Sequence, residues 1–136
     1  MKIGIDYHGV IDTLSTTFAE LSRKWIDRGH EVHIVTGKQW RDAEPRVRAL
    51  GISFTHHYSI VDDHRLRGTP MIERENGFWM EEETWNRSKG EYCERERIDV
   101  HFDNDLKYAR YFPERCTFVW VQNRHFESLI RLMRSI

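Results

Sequence analysis

Apolar and polar positions follow two periods along this chain. Short β-branched or aromatic runs occur at residues 3–6, 31–36, 52–60, 98–103 and 117–121. Runs of that length read as buried strands, though His56 and His57 make the third a poor one. Between them the spacing turns helical. After Thr13, Leu14, Phe18, Leu21 and Trp25 fall on one helical face, and Gly29 supplies the stop. A second helix from about Arg41 turns Ala43, Val47 and Leu50 inward, with Pro45 in its early turns and Gly51 at its end. Glu81 to Arg97 reads as a charged helix carrying Trp85 and Lys89, and a short helix covers about 105–111. A last amphipathic helix from about His125 sets Phe126, Leu129, Ile130 and Met133 on one face.

Residues 61–81 break this rhythm. Two short extended runs flank Glu75-Asn76-Gly77, and Asn-Gly between such runs signals a β-hairpin. The spacing predicts a hairpin insertion over about 66–81, standing off the main sheet. Strands alternating with helices imply an α/β, Rossmann-like parallel sheet with right-handed crossovers. The expected order, numbering only the sheet strands, is 3-2-1-4-5, with helices on both faces. Strands 1 and 4 then flank the topological switch point, where open α/β sheets bind ligands.

Composition narrows the function classes. At 136 residues, 39% hydrophobic and 32% charged, the chain reads as a single globular domain, 1–136. A formal net charge of −1 supplies no global field toward nucleic acid or an anionic membrane. Cys93 and Cys116 have no metal-ligand spacing and read as reduced thiols. The N-terminus runs straight into a strand, and no stretch approaches membrane-spanning length. The expected location is therefore cytoplasmic.

Three strand ends carry chemistry: Asp6, Thr36-Gly37, and Asp103-Asn104-Asp105. Phosphate esters repel nucleophiles, so a site must cancel charge, position an attacker and handle a leaving-group proton. Asp6 is placed to be nucleophile and metal ligand, with Asp103 as a second carboxylate for Mg²⁺. Thr36 and the Gly37 N–H can hold phosphate oxygens, and Lys89 can offset the remaining negative charge.

In these motifs the chain resembles the haloacid dehalogenase (HAD)-like superfamily of phosphotransferases, over nearly its full length. The family's first motif, an apolar strand then Asp-x-Asp-Gly-[Thr/Val], is matched by Asp6-Tyr7-His8-Gly9-Val10 with one departure. Ile34-Val35-Thr36-Gly37 matches the second, Lys89 is most like the third, and Phe102-Asp103-Asn104-Asp105 matches the fourth. The resemblance implies a Mg²⁺-dependent phosphohydrolase acting through an aspartyl-phosphate on Asp6. It also implies that position 8 protonates the leaving group and gives a backbone carbonyl to the metal.

The departure is His8, where the family's phosphatases have Asp. Histidine can serve as general acid/base near neutral pH, or its presence can abolish turnover. Asp105 reads as a metal or water ligand, or as a helix N-cap. Three functions therefore follow: a phosphohydrolase, a catalytically impaired phosphate- or metal-binding protein, and a nucleic-acid-end phosphatase. The partner is a phosphorylated small molecule or a phosphate at a polymer end, with no membrane involved. His56, His57, His64 and Asp62-Asp63 lack a recognised zinc-ligand spacing and read as the crevice mouth or as surface. Phe78, Trp79 and Trp85 read as hairpin packing or as a stacking platform for a nucleobase.

Overall fold

In the computed structural model, which describes residues 1–135, strand β1 (Lys2–Asp6) runs down the centre of a five-stranded parallel sheet. The side chains of Met133 and Arg134 lie outside the described residues, and with them the expected inward position of Met133. β2 (Glu31–Thr36) and β3 (His56–Ser59) lie on one side of β1; β6 (Val100–Asp103) and β7 (Thr117–Trp120) lie on the other. The hairpin strands β4 (Ile72–Arg74) and β5 (Gly77–Trp79) pair antiparallel as a separate two-stranded sheet. The order is β3-β2-β1-β6-β7, because the hairpin takes the fourth and fifth places in chain order.

Strand residues alternate between two cores, as a two-residue period requires. Ile3 and Ile5 of β1, Val32 and Ile34 of β2, and Phe102 of β6 point to one side. There they meet Phe18 of α1 (Ser15–Asp27), Val47 of α2 (Trp40–Ala49), and Phe126 and Ile130 of α5 (Asn123–Ser135). Val35, on the other side of β2, joins Ile60 of α3 (Ile60–Arg67) with Tyr92 and Cys93 of α4 (Glu82–Glu96). Leu129 of α5, expected inward, is 47% exposed. No helix among the described residues is long and apolar enough to cross a membrane.

Three expectations about the middle of the chain are corrected. The third strand begins at His56 rather than Ile52 and ends at Ser59, where a helix starts instead of a longer run. The Ser59 hydroxyl caps that helix by accepting from the Asp62 N–H at 3.1 Å, and Gly68 ends it at φ 72°. The hairpin is thereby shortened. His64, expected at the surface or crevice mouth, is buried in α3. Its ring spans Thr69 Oγ1 and Ser88 Oγ, each at 2.8 Å, and so clamps α3 to α4.

Candidate active site

The C-terminal ends of β1, β2 and β6 open into a crevice of about 1090 Å³. Asp6 leaves β1 there, and Asp103 leaves β6. A wide turn over Tyr7–Ile11 follows β1, and Gly9 adopts φ 82° within it. A Cβ at Gly9 would lie 2.4 Å from Cγ of Asn104, so the position needs glycine for both backbone and space. That close approach sets Asn104 against the start of the turn.

Lys89 bridges the two carboxylates. Its Nζ donates to Asp6 Oδ1 at 2.8 Å and to Asp103 Oδ2 at 3.0 Å, although the residue is only 4% exposed. A lysine on a charged helix reaches this depth because its neighbour is Gly90. A Cβ there would lie 2.2 Å from the Tyr111 carbonyl oxygen, so α4 packs directly against the backbone of the 3-10 segment Leu106–Tyr111. Asp103 is committed on both oxygens. Oδ2 also faces His101 Nε2 at 3.1 Å, and Oδ1 accepts from the Asp105 N–H at 3.0 Å. Asp105 lines the crevice beside Asn104, and its Oδ1 accepts from the Lys107 N–H at 3.1 Å and caps the 3-10 segment.

The charges are unequal in this pit, with one ammonium against two carboxylates. Burial pushes the Asp6 carboxyl up to about 7; Lys89 opposes the rise and the Asp103 charge adds to it. Burial would raise Asp103 too, but Lys89 and the His101 hydrogen bond outweigh it and hold Asp103 well below the usual carboxylate range. Lys89 is held above its ordinary value, the two carboxylates outweighing its burial. The pit is short of positive charge at Asp6.

The carboxamide end of Asn104 lies 2.9 Å from the His8 carbonyl oxygen and 3.1 Å from Asp6 Oδ2. Which atom sits there is settled by its surroundings. With nitrogen inward, the amide donates to both oxygens. With oxygen inward, three oxygens converge without a proton between them. Cis ligands of Mg²⁺ lie about 2.9 Å apart, given Mg–O distances of 2.0–2.1 Å. In the chain without an ion these contacts are hydrogen bonds that hold Asp6 Oδ2 and the His8 carbonyl to one amide; with the amide turned about, its oxygen would join them as a third donor for a hard divalent cation.

Thr36 and Gly37 line the same crevice. Thr36 Oγ1 accepts from the Lys38 N–H at 3.1 Å, which leaves its hydroxyl proton to give. A Cβ on Gly37 would lie 2.6 Å from Cζ2 of Trp85, so only glycine lets that ring rest on the loop. The His8 imidazole is 83% exposed, with Nδ1 3.1 Å from Asp12 Oδ2. Hairpin residues, among them Phe78 and Trp79, form the outer wall. His57 stacks on Trp40 at 4.1 Å, and Asp62 accepts from the Trp40 N–H at 2.9 Å; both serve α2.

The structure thus brings Asp6, His8, Thr36, Gly37, Lys89 and Asp105 to one crevice. Asp103 stands behind Lys89, and Asp105 caps the next segment. Asn104 escaped the sequence reading as a spacer between two acids, although its place directly after the strand was a signal. No protein-family model matches the chain, and no curated protein matches it.

Proposed function

We propose that this chain is a HAD-like, Mg²⁺-dependent phosphohydrolase that takes a phosphate monoester through an aspartyl-phosphate on Asp6. One observation carries the reading: a buried lysine joins Asp6 to Asp103 at the sheet's C-terminal edge, beside Thr36 and Gly37. Asp6 Oδ2, the His8 carbonyl and the Asn104 carboxamide would hold the ion. When bound, it supplies the positive charge that the pit lacks and offsets the phosphoryl oxygens.

The chain's own groups do the rest. Lys89 orients Asp6 through Oδ1, the oxygen left to attack phosphorus. The phosphoryl group passes to Asp6, and the alcohol oxygen leaves with a proton from the His8 imidazole. Water then attacks the acyl phosphate, its proton returning to His8, and releases phosphate with Asp6 restored. Thr36 and the Gly37 N–H hold the phosphate oxygens. The hairpin wall favours a small phosphorylated metabolite over a polymer end, and a cytoplasmic setting fits the unpaired thiols of Cys93 and Cys116.

A second reading, binding without turnover, is favoured by one observation: Asp12 holds the His8 ring at the exposed rim. A panel of phosphate esters with Mg²⁺, run on wild type and Asp6→Asn, tests the proposal. Turnover by wild type and its loss in Asp6→Asn are expected. Absence of turnover across the panel overturns the hydrolase reading. If a fluoride-based phosphate mimic still binds with Mg²⁺, the second reading replaces it.

A further inference from the structure

We propose that Glu31, His33 and His56 form a binding site for a zinc-class divalent ion at the N-terminal edge of the sheet, opposite the crevice. Glu31 and His33 are two apart on β2 and share one face. His56 lies directly across from His33 in the parallel pairing of β2 with β3, and the two rings stack at 4.4 Å. One donor atom from each residue falls within 4.8 Å of the other two.

The spacing suits tetrahedral coordination. Glu31 Oε2 lies 3.0 Å from His33 Nε2 and 3.9 Å from His56 Nδ1. Zinc bonds of 2.0–2.2 Å put tetrahedral donors roughly 3.4 Å apart, between those two values. The two imidazoles lie nearly parallel, 9° apart, so the exposed His56 ring must rotate out of the stack to aim its nitrogen at the ion, and its exposure leaves it room to do so. Two imidazole nitrogens and one carboxylate favour a borderline ion such as Zn²⁺ over Mg²⁺. The ligand preference is thus opposite to that of the oxygen-lined crevice.

The support behind these ligands is built. His33 is 1% exposed, and its Nδ1 lies 2.7 Å from the Tyr92 hydroxyl. A hydrogen bond at the far nitrogen fixes the ring and presents Nε2, as outer partners of metal-bound histidines do. Burial also favours the neutral ring, the form that binds metal. Without an ion, Nε2–H donates to Glu31 and Nδ1 accepts from Tyr92. With one, the proton sits on Nδ1 and donates to the Tyr92 oxygen. A hydroxyl accommodates either direction.

His56 differs, because the nitrogen it offers is itself hydrogen-bonded in the free chain. Its Nδ1 lies 2.8 Å from Thr55 Oγ1, whose own proton goes to the Val32 carbonyl at 3.0 Å. Nδ1 therefore carries hydrogen in the free chain, and ion binding moves that proton to the outer nitrogen. Lys2 Nζ stands 3.6 Å from Glu31 Oε2 in an exposed pair, which contributes little and is readily displaced. The half-exposed Glu31 and His56 side chains give the ion a path in and leave a position for water. An ion there would pin the four-residue edge strand β3 to β2.

Calorimetric titration of the tag-free chain with Zn²⁺, in excess Mg²⁺ to fill the crevice, tests the site. One Zn²⁺ per chain and a raised Tm are expected. Glu31→Gln and His56→Ala, both at the exposed side, should each weaken binding by about 100-fold, and Tyr92→Phe by about 10-fold. Imidazole nitrogen NMR of the wild type should show His33 changing from Nε2–H to Nδ1–H on Zn²⁺ addition, a readout that needs no variant. A His33 tautomer that Zn²⁺ leaves unchanged overturns the proposal. So does Zn²⁺ binding that survives both Glu31→Gln and His56→Ala.

Discussion

Replacing Lys89 by Met keeps the length and apolar stem of the side chain and removes its charge. Nζ lies 2.8 Å from Asp6 Oδ1 and 3.0 Å from Asp103 Oδ2, with all three side chains buried. Removing one partner of a buried ion pair costs about 3–5 kcal/mol. One ammonium here serves two carboxylates, so the upper end of that range applies. Domain stabilities run about 5–15 kcal/mol, so the variant would lose a third or more of the total. The loss must also depend on pH. Burial already raises the folded-state Asp6 carboxyl from 3.8 to about 7 while Lys89 pulls it down. Without Lys89 the Asp6 value rises further and Asp103 loses what held it low. A carboxyl raised in the folded state favours folding below its unfolded value, and that contribution fades as pH climbs through the folded value. The deficit of Lys89→Met should therefore be smaller at about pH 4, where Asp6 is protonated and only the Asp103 pair is lost, than at about pH 8. Urea unfolding followed by tryptophan fluorescence at both pH values measures it, with an unchanged m-value confirming a stability effect. A deficit under about 1 kcal/mol at the higher pH, or one equal at both, refutes the bridging role of Lys89.

Three further outcomes follow from the same geometry. Asn104→Asp adds an anionic oxygen beside Asp6 and should tighten Mg²⁺ by about 10-fold, whereas Asn104→Leu should abolish binding. Calorimetry checks both, and wild-type Mg²⁺ affinity should fall as pH drops through about 7, where a proton competes for Asp6. His8→Ala should leave the fold intact, because its ring is exposed, and lower kcat by about 10²–10⁴-fold. Equal kcat in variant and wild type would remove His8 from the chemistry. Gly90→Ala should destabilise by about 1–3 kcal/mol, since its Cβ meets the Tyr111 backbone. An unchanged Tm would show that α4 does not need that approach.

The strands were legible because a strand buried on both sides must be apolar for several residues together. Ile3–Asp6 and Val32–Thr36 carry that signature, and with it the placing of Asp6 and Thr36 at the carboxyl edge. α3 was missed because its apolar residues do not form one face: Ile60 and Val61 are buried, and Leu66 is 89% exposed. Its ends were nonetheless written in Ser59, Asp62 and Gly68, which carry the caps. The depth of Lys89 was hidden, since a charged helix gives no sign of the backbone approach at Gly90. The Glu31–His33–His56 group was hidden more completely. It depends on strand pairing between residues far apart in sequence, which no local pattern reveals.

The hairpin has a consequence for how this chain can change over generations. Its strand residues are exposed, apart from the half-buried Phe78, and β4 and β5 pair only with each other. Among the described residues, the cores reach it at its base, through Met80. Exposed loop tips tolerate insertion and exchange because few buried contacts depend on them. The outer wall of the crevice thus contributes little to either core. Substitutions there can re-shape the mouth of the crevice without disturbing the buried carboxylates and their lysine, so the entrance and the pit behind it can change separately.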